Sequence, residues 1–286
     1  MTSWTATRIA LTAAAVAIAV FVVLGAAAGL AVVYAGVYSV AATVQHFAPT
    51  FKALDIGLRR SVEHHARDLA VPPLDGEGRM QRGFACFKQH CEQCHGAPGT
   101  PQAEFAKGLL PVPSSLSQAS HDWPPAQLYW LTRNGIKMTG MPAWEYRLDD
   151  DALWSIVALL TQLPLLTPDA YRAWSARSGE GCERREARDA VAMPPDAERG
   201  KVVILQYACT ACHRIPGVVG PASHTGPPLD AMSRRKYIAG VLPNTTGNMV
   251  RWLREPQAVN PHTAMPDLGL TEAHARDIAA YLAQLK

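Results

Sequence analysis

The chain contains the same five-residue pattern, Cys-x-x-Cys-His, at two places more than a hundred residues apart. The cysteines and histidines of the two copies are Cys91, Cys94 and His95, and Cys209, Cys212 and His213. Two thiols at this spacing can each add to one vinyl group of a single porphyrin, and the adjoining histidine can ligate its iron. The pattern therefore predicts two covalently bound haem c groups.

Paired cysteines also occur in zinc ribbons and in thioredoxin-like dithiols. The two pairs of a zinc ribbon are usually about 15–20 residues apart, and the separation here is far larger. A thioredoxin-like dithiol needs a strand-helix-strand setting, and neither pentapeptide is flanked by alternating β-branched residues. Haem attachment is therefore favoured over both alternatives.

Each haem histidine is followed downstream by a Met-Pro pair, at Met141 and at Met265. A thioether in an irregular loop, stiffened by the proline, can reach iron from the face opposite the histidine. Most methionines fill cores, so rival ligands must be weighed. The rivals are Met138 in the first half, and His262, Met249 and Met232 in the second. The Met-Pro context and the similar distance from each histidine favour His95 with Met141, and His213 with Met265.

On these motifs, each half of the chain resembles a class I c-type cytochrome. The resemblance implies that the first and last helices of each half pack together, and that a proline carbonyl in a Gly-Pro segment orients the haem histidine. Gly226-Pro227 matches that segment in the second half, which implies that Pro227 accepts a hydrogen bond from His213. The first half has Ala-Pro-Gly-Thr-Pro at residues 97–101 instead, which leaves open whether either proline serves His95.

The whole chain also resembles membrane-anchored di-haem cytochromes c of proteobacterial respiratory chains. An iron with histidine and methionine ligands has no open position for a substrate, so we expect a single-electron carrier without catalytic residues. Its expected role is transfer between respiratory-chain components, toward a terminal oxidase. Two alternatives are a fixed cytochrome c subunit of a larger membrane oxidase or dehydrogenase and, more remotely, a di-haem peroxidase. A peroxidase needs a displaceable sixth ligand, and the two Met-Pro pairs argue against it.

Residue spacing predicts a helix before each haem motif. Gly83 and Phe87 precede Cys91 at intervals of four, which places all three on one helix face. Gly200, Ile204, Leu205 and Ala208 play a similar role before the second motif. In both halves, a glycine on this face would let another helix approach closely.

Apolar stripes predict a closing amphipathic helix in each half, over residues 149–163 and 271–285. Asp149 and Thr271 are suitable N-caps for these helices. Strand-like alternation is almost absent. The predicted fold class is therefore all-α, with one N-terminal transmembrane helix followed by two class I cytochrome c-like domains.

Residues 9–45 contain no charged side chain, a run longer than the ~20 residues that cross a bilayer. We expect an uncleaved signal-anchor helix, and its surplus length suggests a tilted or projecting helix. The alternative is a cleaved signal peptide with a small-residue site at Ala26 and Ala28, but the apolar run continues far past a normal h-region.

The resemblance also implies a compartment, because bacterial haem c attachment takes place outside the cytoplasmic membrane. We expect a single-pass protein of the bacterial inner membrane, with a cytoplasmic N-terminus and periplasmic haem domains. The formal net charge of +3 gives no case for nucleic acid binding. The expected partners are respiratory donor and acceptor proteins, membrane lipid, and the subunits of a possible membrane complex.

Composition divides the chain into five segments. They are a membrane segment (1–45), a juxtamembrane amphipathic stalk (46–74), a first cytochrome c domain (75–164), a linker (165–195) and a second cytochrome c domain (196–286). The stalk carries apolar residues at helical spacing with basic residues between them. It is expected to lie on the bilayer, against a partner subunit, or on the first haem domain.

Cys86 and Cys182 belong to neither haem motif. In an oxidising compartment, such a pair can form a disulfide, here between the helix before the first motif and the linker. Sequence spacing does not give the distance between the two thiols, so the disulfide is a hypothesis at this point.

Overall fold

The computed structural model describes residues 2–179, 182, 193–221, 223 and 225–286. Helix α1, Thr2–Tyr34, opens the chain. Its segment Thr7–Tyr34 contains a stretch of 18 residues with a mean hydropathy of 2.8, which makes it, by length and composition, a candidate membrane span. No other helix within the described ranges is both long and apolar enough to qualify.

The helix is shorter than the uncharged run of residues 9–45. Residues 35–47 form turns and irregular chain, beginning with Gly36 at a φ of 65°, a conformation that glycine adopts readily. The next helix, α2, is Ala48–Ala66. The surplus of apolar residues therefore lies in irregular chain rather than in a projecting helix.

The first domain is built from six further helices. They are α3 (Glu77–His90), α4 (Glu92–His95), α5 (Glu104–Lys107), α6 (Ala119–Asp122), α7 (Pro125–Asn134) and α8 (Asp150–Gln162). Short 3-10 turns occur at Leu116–Gln118 and Leu163–Leu165. The core lies between α3 and α8, where Phe84, Phe87 and Ile156 are buried.

The stalk helix α2 packs on this domain through its C-terminal half. Val62 and Ala66 are buried there, and α2 contacts α7. Toward the membrane segment, Phe51 and Leu54 of the same helix are 60% and 59% exposed. Of the three expected settings of the stalk, packing on the first haem domain therefore holds for one half of the helix.

The residues that follow the first domain also pack on it. Helix α9, Pro168–Arg177, lies within the predicted linker 165–195, yet its Tyr171 is buried, with its ring centroid 5.4 Å from that of Phe84. Trp174 stacks on the same Phe84 ring at 5.7 Å. Of the rest of this predicted linker, residues 180–181 and 183–192 lie outside the described residues. Its first part is thus part of the first domain's core.

The hypothesised disulfide is present in the structure. Cys86 on α3 and Cys182 are bonded, with their Cα atoms 4.7 Å apart. Both residues are buried. The chain is thereby fixed to the first domain five residues beyond the end of α9.

The second domain repeats the plan with four helices. They are α10 (Ala197–Gln206), α11 (Thr246–Arg254), α12 (Pro256–Val259) and α13 (Glu272–Leu282). Turns of 3-10 helix occur at Cys209–Ala211 and Met232–Arg234. Two short antiparallel strands, β1 (Tyr237–Ile238) and β2 (Leu242–Pro243), pair Tyr237 with Pro243 and Ile238 with Leu242. The core lies between α10, α11 and α13.

Both domains are closed by the same helix crossing. At Gly83, an added Cβ would overlap the carbonyl oxygen of Ser155 on α8, and at Gly200 it would overlap that of Asp277 on α13. Glycine is required at each crossing because the two backbones touch. The predicted close approach is confirmed in both halves.

The predicted N-caps of the closing helices are confirmed. The Asp149 side chain accepts from the backbone N–H of Ala152 at 2.8 Å, and that of Thr271 accepts from His274 N at 3.2 Å. Each cap satisfies an N–H group that has no partner inside its helix. The helices begin one residue later than the caps, at Asp150 and Glu272.

Candidate haem sites

Each Cys-x-x-Cys-His pattern is folded into one helical turn. The backbone N–H of His95 donates to the carbonyl oxygen of Cys91 at 2.9 Å, and that of His213 donates to Cys209 at 2.9 Å. The same hydrogen bond therefore closes the turn in both domains. It keeps the histidine next to the two thiols, as attachment to a single porphyrin requires.

A carbonyl oxygen fixes the orientation of each histidine ring. His95 Nδ1 lies 2.7 Å from Ser114 O, and His213 Nδ1 lies 2.7 Å from Pro227 O. Because a carbonyl only accepts, Nδ1 carries the proton in both rings, and Nε2 is left with a lone pair for a metal. The contact expected between His213 and Pro227 is present.

The first domain uses a residue that the sequence did not indicate. The ring of His95 donates its hydrogen bond to neither proline of the 97–101 segment; the acceptor is Ser114, which follows Pro113. The amide of Gln102 donates to the carbonyl of Pro113 at 2.5 Å, which anchors this segment one residue before the acceptor. The available signal was the run Leu-Pro-Val-Pro at residues 110–113, whose prolines stiffen the backbone.

In the second domain, a glycine lets the main chain approach the imidazole. An added Cβ at Gly226 would lie 2.6 Å from Cε1 of His213. The backbone N–H of Gly226 also donates to the carbonyl of Cys212 at 2.8 Å. Both residues of the Gly-Pro segment are therefore hydrogen-bonded to the haem motif, Gly226 to Cys212 and Pro227 to His213.

The two Met-Pro segments form the same turn. The backbone N–H of Met141 donates to the hydroxyl of Thr139 at 3.0 Å, and that of Met265 donates to the hydroxyl of Thr263 at 3.2 Å. Both segments read Thr-x-Met-Pro. In each, the threonine hydroxyl accepts the hydrogen bond that a backbone carbonyl would accept in a helix or a strand. Both methionines are half-buried.

The rival ligands lie in different surroundings. Met138 is 99% exposed, and His262 is exposed as well. Met232 and Met249 are 5% exposed and belong to the core of the second domain. Buried packing of this kind is the ordinary use of methionine. The structure therefore favours the Met-Pro methionines as sixth ligands, and that assignment remains a prediction.

Burial shifts the pKa values of side chains in both haem motifs. Desolvation lowers the pKa of His95, which favours the neutral imidazole that ligates metals. Desolvation, with a smaller contribution from Cys94, raises the pKa of the Cys91 thiol to about 12. The pKa of the Cys209 thiol rises to about 11, again mainly through burial. Before attachment, both thiols are therefore protonated at neutral pH.

These observations fit covalent haem c. Each domain offers two thiols, one imidazole with its Nδ1 engaged by a carbonyl, and one thioether on a capped turn. In the second domain, the backbone at Gly226 leaves the space that the imidazole needs. The donor set is the one that c-type haem with histidine and methionine ligands uses.

Comparison with known families agrees with this geometry. Residues 78–160 match the family described as cytochrome c oxidase, cbb3-type, subunit III, and residues 197–286 match the family described as cytochrome c. The chain carries two cytochrome c domains in tandem. Each match spans one haem motif together with its Met-Pro pair. The expected tandem class I cytochrome c architecture and the mostly helical fold class are confirmed.

Several characterised proteins are similar to parts of this tandem cytochrome. Cytochrome c oxidase subunit 2 of Alkalihalophilus pseudofirmus is 31% identical over 126 residues, which is 44% of this chain and 34% of the relative. Cytochrome c oxidase subunit 2 of Bacillus sp. strain PS3 is 31% identical over 125 residues, or 42% of this chain and 33% of the relative.

A third relative, the dihydro-heme d1 dehydrogenase of Pseudomonas aeruginosa, is 35% identical over 94 residues, which is 33% of this chain and 17% of the relative. The tandem cytochrome therefore spans about a third or less of the length of the relatives that it matches. No solved structure matches it significantly. These similarities establish an electron-transfer cytochrome c related to oxidases.

Proposed function

We propose that the protein is a membrane-tethered di-haem cytochrome c that passes single electrons between respiratory-chain components, toward a terminal oxidase. When bound, haem c supplies an iron that gains or loses one electron. The observation that carries the proposal is the repeated site. Both domains hold the histidine by a carbonyl and the Met-Pro turn by a threonine. Imidazole and thioether together leave no coordination position for a substrate, as a carrier requires.

The proposed roles follow from the two sites. Cys91 and Cys94 would attach the first haem, and Cys209 and Cys212 the second. The axial pairs would be His95 with Met141, and His213 with Met265. Pro227 would hold the tautomer of His213, as Ser114 would for His95. A backbone carbonyl at this position raises the basicity of the imidazole and fixes its plane.

The disulfide and the first helix support a location at the bacterial inner membrane. Disulfides persist in oxidising compartments such as the periplasm, and Cys86 is bonded to Cys182. Helix α1 would cross the membrane once, with the N-terminus in the cytoplasm and both haem domains in the periplasm. The exposed apolar residues Phe51 and Leu54 on α2 follow the span closely, and we propose that they contact membrane lipid.

A second candidate function is a fixed cytochrome c subunit of a larger membrane oxidase or dehydrogenase. It is supported by the match of residues 78–160 to a cbb3-type oxidase subunit and by two relatives named oxidase subunit 2. A free carrier and a fixed subunit differ in what they bind permanently. Purification of the full chain in mild detergent separates them, because only a subunit remains with stoichiometric partner proteins.

The proposed function is tested on the full-length protein matured with haem. A pyridine haemochrome assay should return two haem c per chain, and redox-titrated spectra should show two low-spin, one-electron centres. Either a single haem equivalent or a high-spin centre in the oxidised protein would contradict the proposal. A high-spin centre would revive the di-haem peroxidase, since that enzyme needs an open iron position.

A further inference from the structure

The two cytochrome domains touch through a small aromatic and polar surface, here called the inter-domain contact. Its members are Tyr146 and Arg147 of the first domain, and Gln206, Tyr207 and His274 of the second. The first two follow the Met141 turn, whereas Gln206 and Tyr207 lead into the second haem motif. The contact therefore joins the edges of two haem sites.

Arg147 forms a hydrogen bond across this contact. Its guanidinium donates to the carbonyl oxygen of Gln206 at 2.7 Å and lies over the ring of Tyr207, 6.0 Å from the centroid. A second nitrogen of the same guanidinium donates to the carbonyl of Ala143 at 3.1 Å. Because two nitrogens of the guanidinium donate to carbonyl oxygens of different domains, the side chain is held in one orientation between them.

Tyr207 and His274 contribute further contacts. The hydroxyl of Tyr207 lies 3.0 Å from Nδ1 of His274 and 3.5 Å from the carbonyl oxygen of Tyr146. The ring of His274 is 5.7 Å from that of Tyr146 and 5.6 Å from that of Tyr207. The ring of His274 thus contacts one tyrosine ring of the first domain and one of the second.

The placement of Tyr207 comes from one extra residue. Cys91 follows Gly83 by eight residues, whereas Cys209 follows Gly200 by nine. Helix α10 therefore stops at Gln206, and Ala208 takes up a left-handed conformation with a φ of 54°. In the first domain, no left-handed residue lies between the crossing glycine Gly83 and Cys91. In the second domain, the consequence is that Tyr207 leaves the helix and meets the first domain.

Aromatic side chains extend from the contact toward the first haem motif. Trp144, two residues before Tyr146, has its ring centroid 4.9 Å from that of His90, and His90 immediately precedes Cys91. On the other side, Tyr207 precedes Cys209 by two residues. The segments that carry the first thioether cysteine of each domain are thereby connected through the contact.

We propose that the inter-domain contact is a fixed docking surface that holds the two cytochrome domains in one orientation and sets the route of electron exchange between them. The proposal rests on the proposed function, since it presumes two redox centres. Exchange moves one electron from the reduced iron of one domain to the oxidised iron of the other, and no proton or further reactant takes part. Small interfaces between domains ordinarily permit relative motion, so directional bonds must supply the order.

The test compares full-length, haem-loaded variants in detergent. Arg147→Ala combined with Tyr207→Phe removes the two hydrogen bonds between the domains, from Arg147 to Gln206 and from Tyr207 to the carbonyl of Tyr146. The phenylalanine keeps the ring of residue 207 in place. The matched control is Arg172→Ala, which removes an exposed arginine of the first domain outside the contact. Pulsed EPR measures the distance distribution between the two ferric irons, and photoreduction of one domain measures the rate of electron exchange.

We expect a single narrow distance in the native protein and in the control. In the double variant, the ratio of docked to undocked molecules should fall by about tenfold, equal to ~1.4 kcal/mol, which broadens the distribution and slows exchange. A broad distribution in the native protein, or a native exchange rate in the double variant, would overturn the proposal. Failure of the proposed function would differ, because the native protein would then lack two low-spin irons.

Discussion

Removing the disulfide between Cys86 and Cys182 should destabilise the first cytochrome domain specifically. The bonded residues are 96 positions apart, so the bond closes a long loop in the unfolded chain. For a loop of this length, the chain-entropy relation gives about 4.7 kcal/mol of stabilisation at 25 °C, and measured losses usually fall between about 2 and 5 kcal/mol. The second domain contains neither cysteine and should keep its stability.

The assay is guanidinium unfolding of the full chain, followed by far-UV circular dichroism. The variant is Cys86→Ala combined with Cys182→Ala, because a single change would leave a thiol that competes with the haem cysteines. Two transitions are expected for two domains, and only one should move to lower denaturant concentration. A reductant should have the same effect on the native protein, since it cleaves the disulfide and leaves thioether bonds intact.

The double variant also serves as the control for the reductant. Because it lacks the disulfide, adding a reductant should not change its unfolding midpoints. Mass spectrometry of alkylated, unreduced, haem-loaded protein should detect no free thiol. Two alkylated thiols in that experiment would refute the reasoning. So would identical unfolding midpoints for the native protein and the double variant.

Two further predictions concern the helix crossings. Gly83→Ala should cost about 1–3 kcal/mol of stability, because the new Cβ meets Ser155 at the crossing. The control Gly78→Ala lies in the exposed first turn of the same helix, where space is open, and should change stability by about 0.5 kcal/mol or less. Equal unfolding midpoints for the two variants would contradict the crossing. Asp277→Asn should cost about 2 kcal/mol in thermal unfolding, since the buried carboxylate loses charge-assisted bonds from its neighbours. The exposed control Asp169→Asn should change stability by about 0.5 kcal/mol or less, and a matching loss there would count against the burial argument.

Local patterns predicted the parts of the fold that local physics determines. The capping role of Asp149 and Thr271 follows from their side chains alone. The glycines at the crossings, Gly83 and Gly200, were identified because they share a helix face with the residues before each haem motif. The contact of Pro227 with His213 was expected from the resemblance to class I c-type cytochromes, whose Gly-Pro segment Gly226-Pro227 matches.

Features that depend on tertiary placement could not be predicted. The acceptor for His95 is the backbone of Ser114, and any residue type can supply a carbonyl. The end of α1 at Tyr34 falls inside an uncharged run, so charge patterning gave no boundary. Helix α9 resembles a polar linker in composition, although Tyr171 anchors it in the core. The contact of Tyr207 with the first domain depends on how two domains meet, which periodicity does not encode.

The most direct test of the account counts low-spin ferric haem per chain by EPR in the native protein and in two single variants, Met141→Leu and Met265→Leu. The account predicts two low-spin centres in the native protein, and one low-spin and one high-spin centre in each variant. Met138→Leu serves as the control and should keep both low-spin centres, because that side chain is exposed. A native protein with fewer than two low-spin haems, or two unchanged low-spin centres in either Met-Pro variant, would contradict the account.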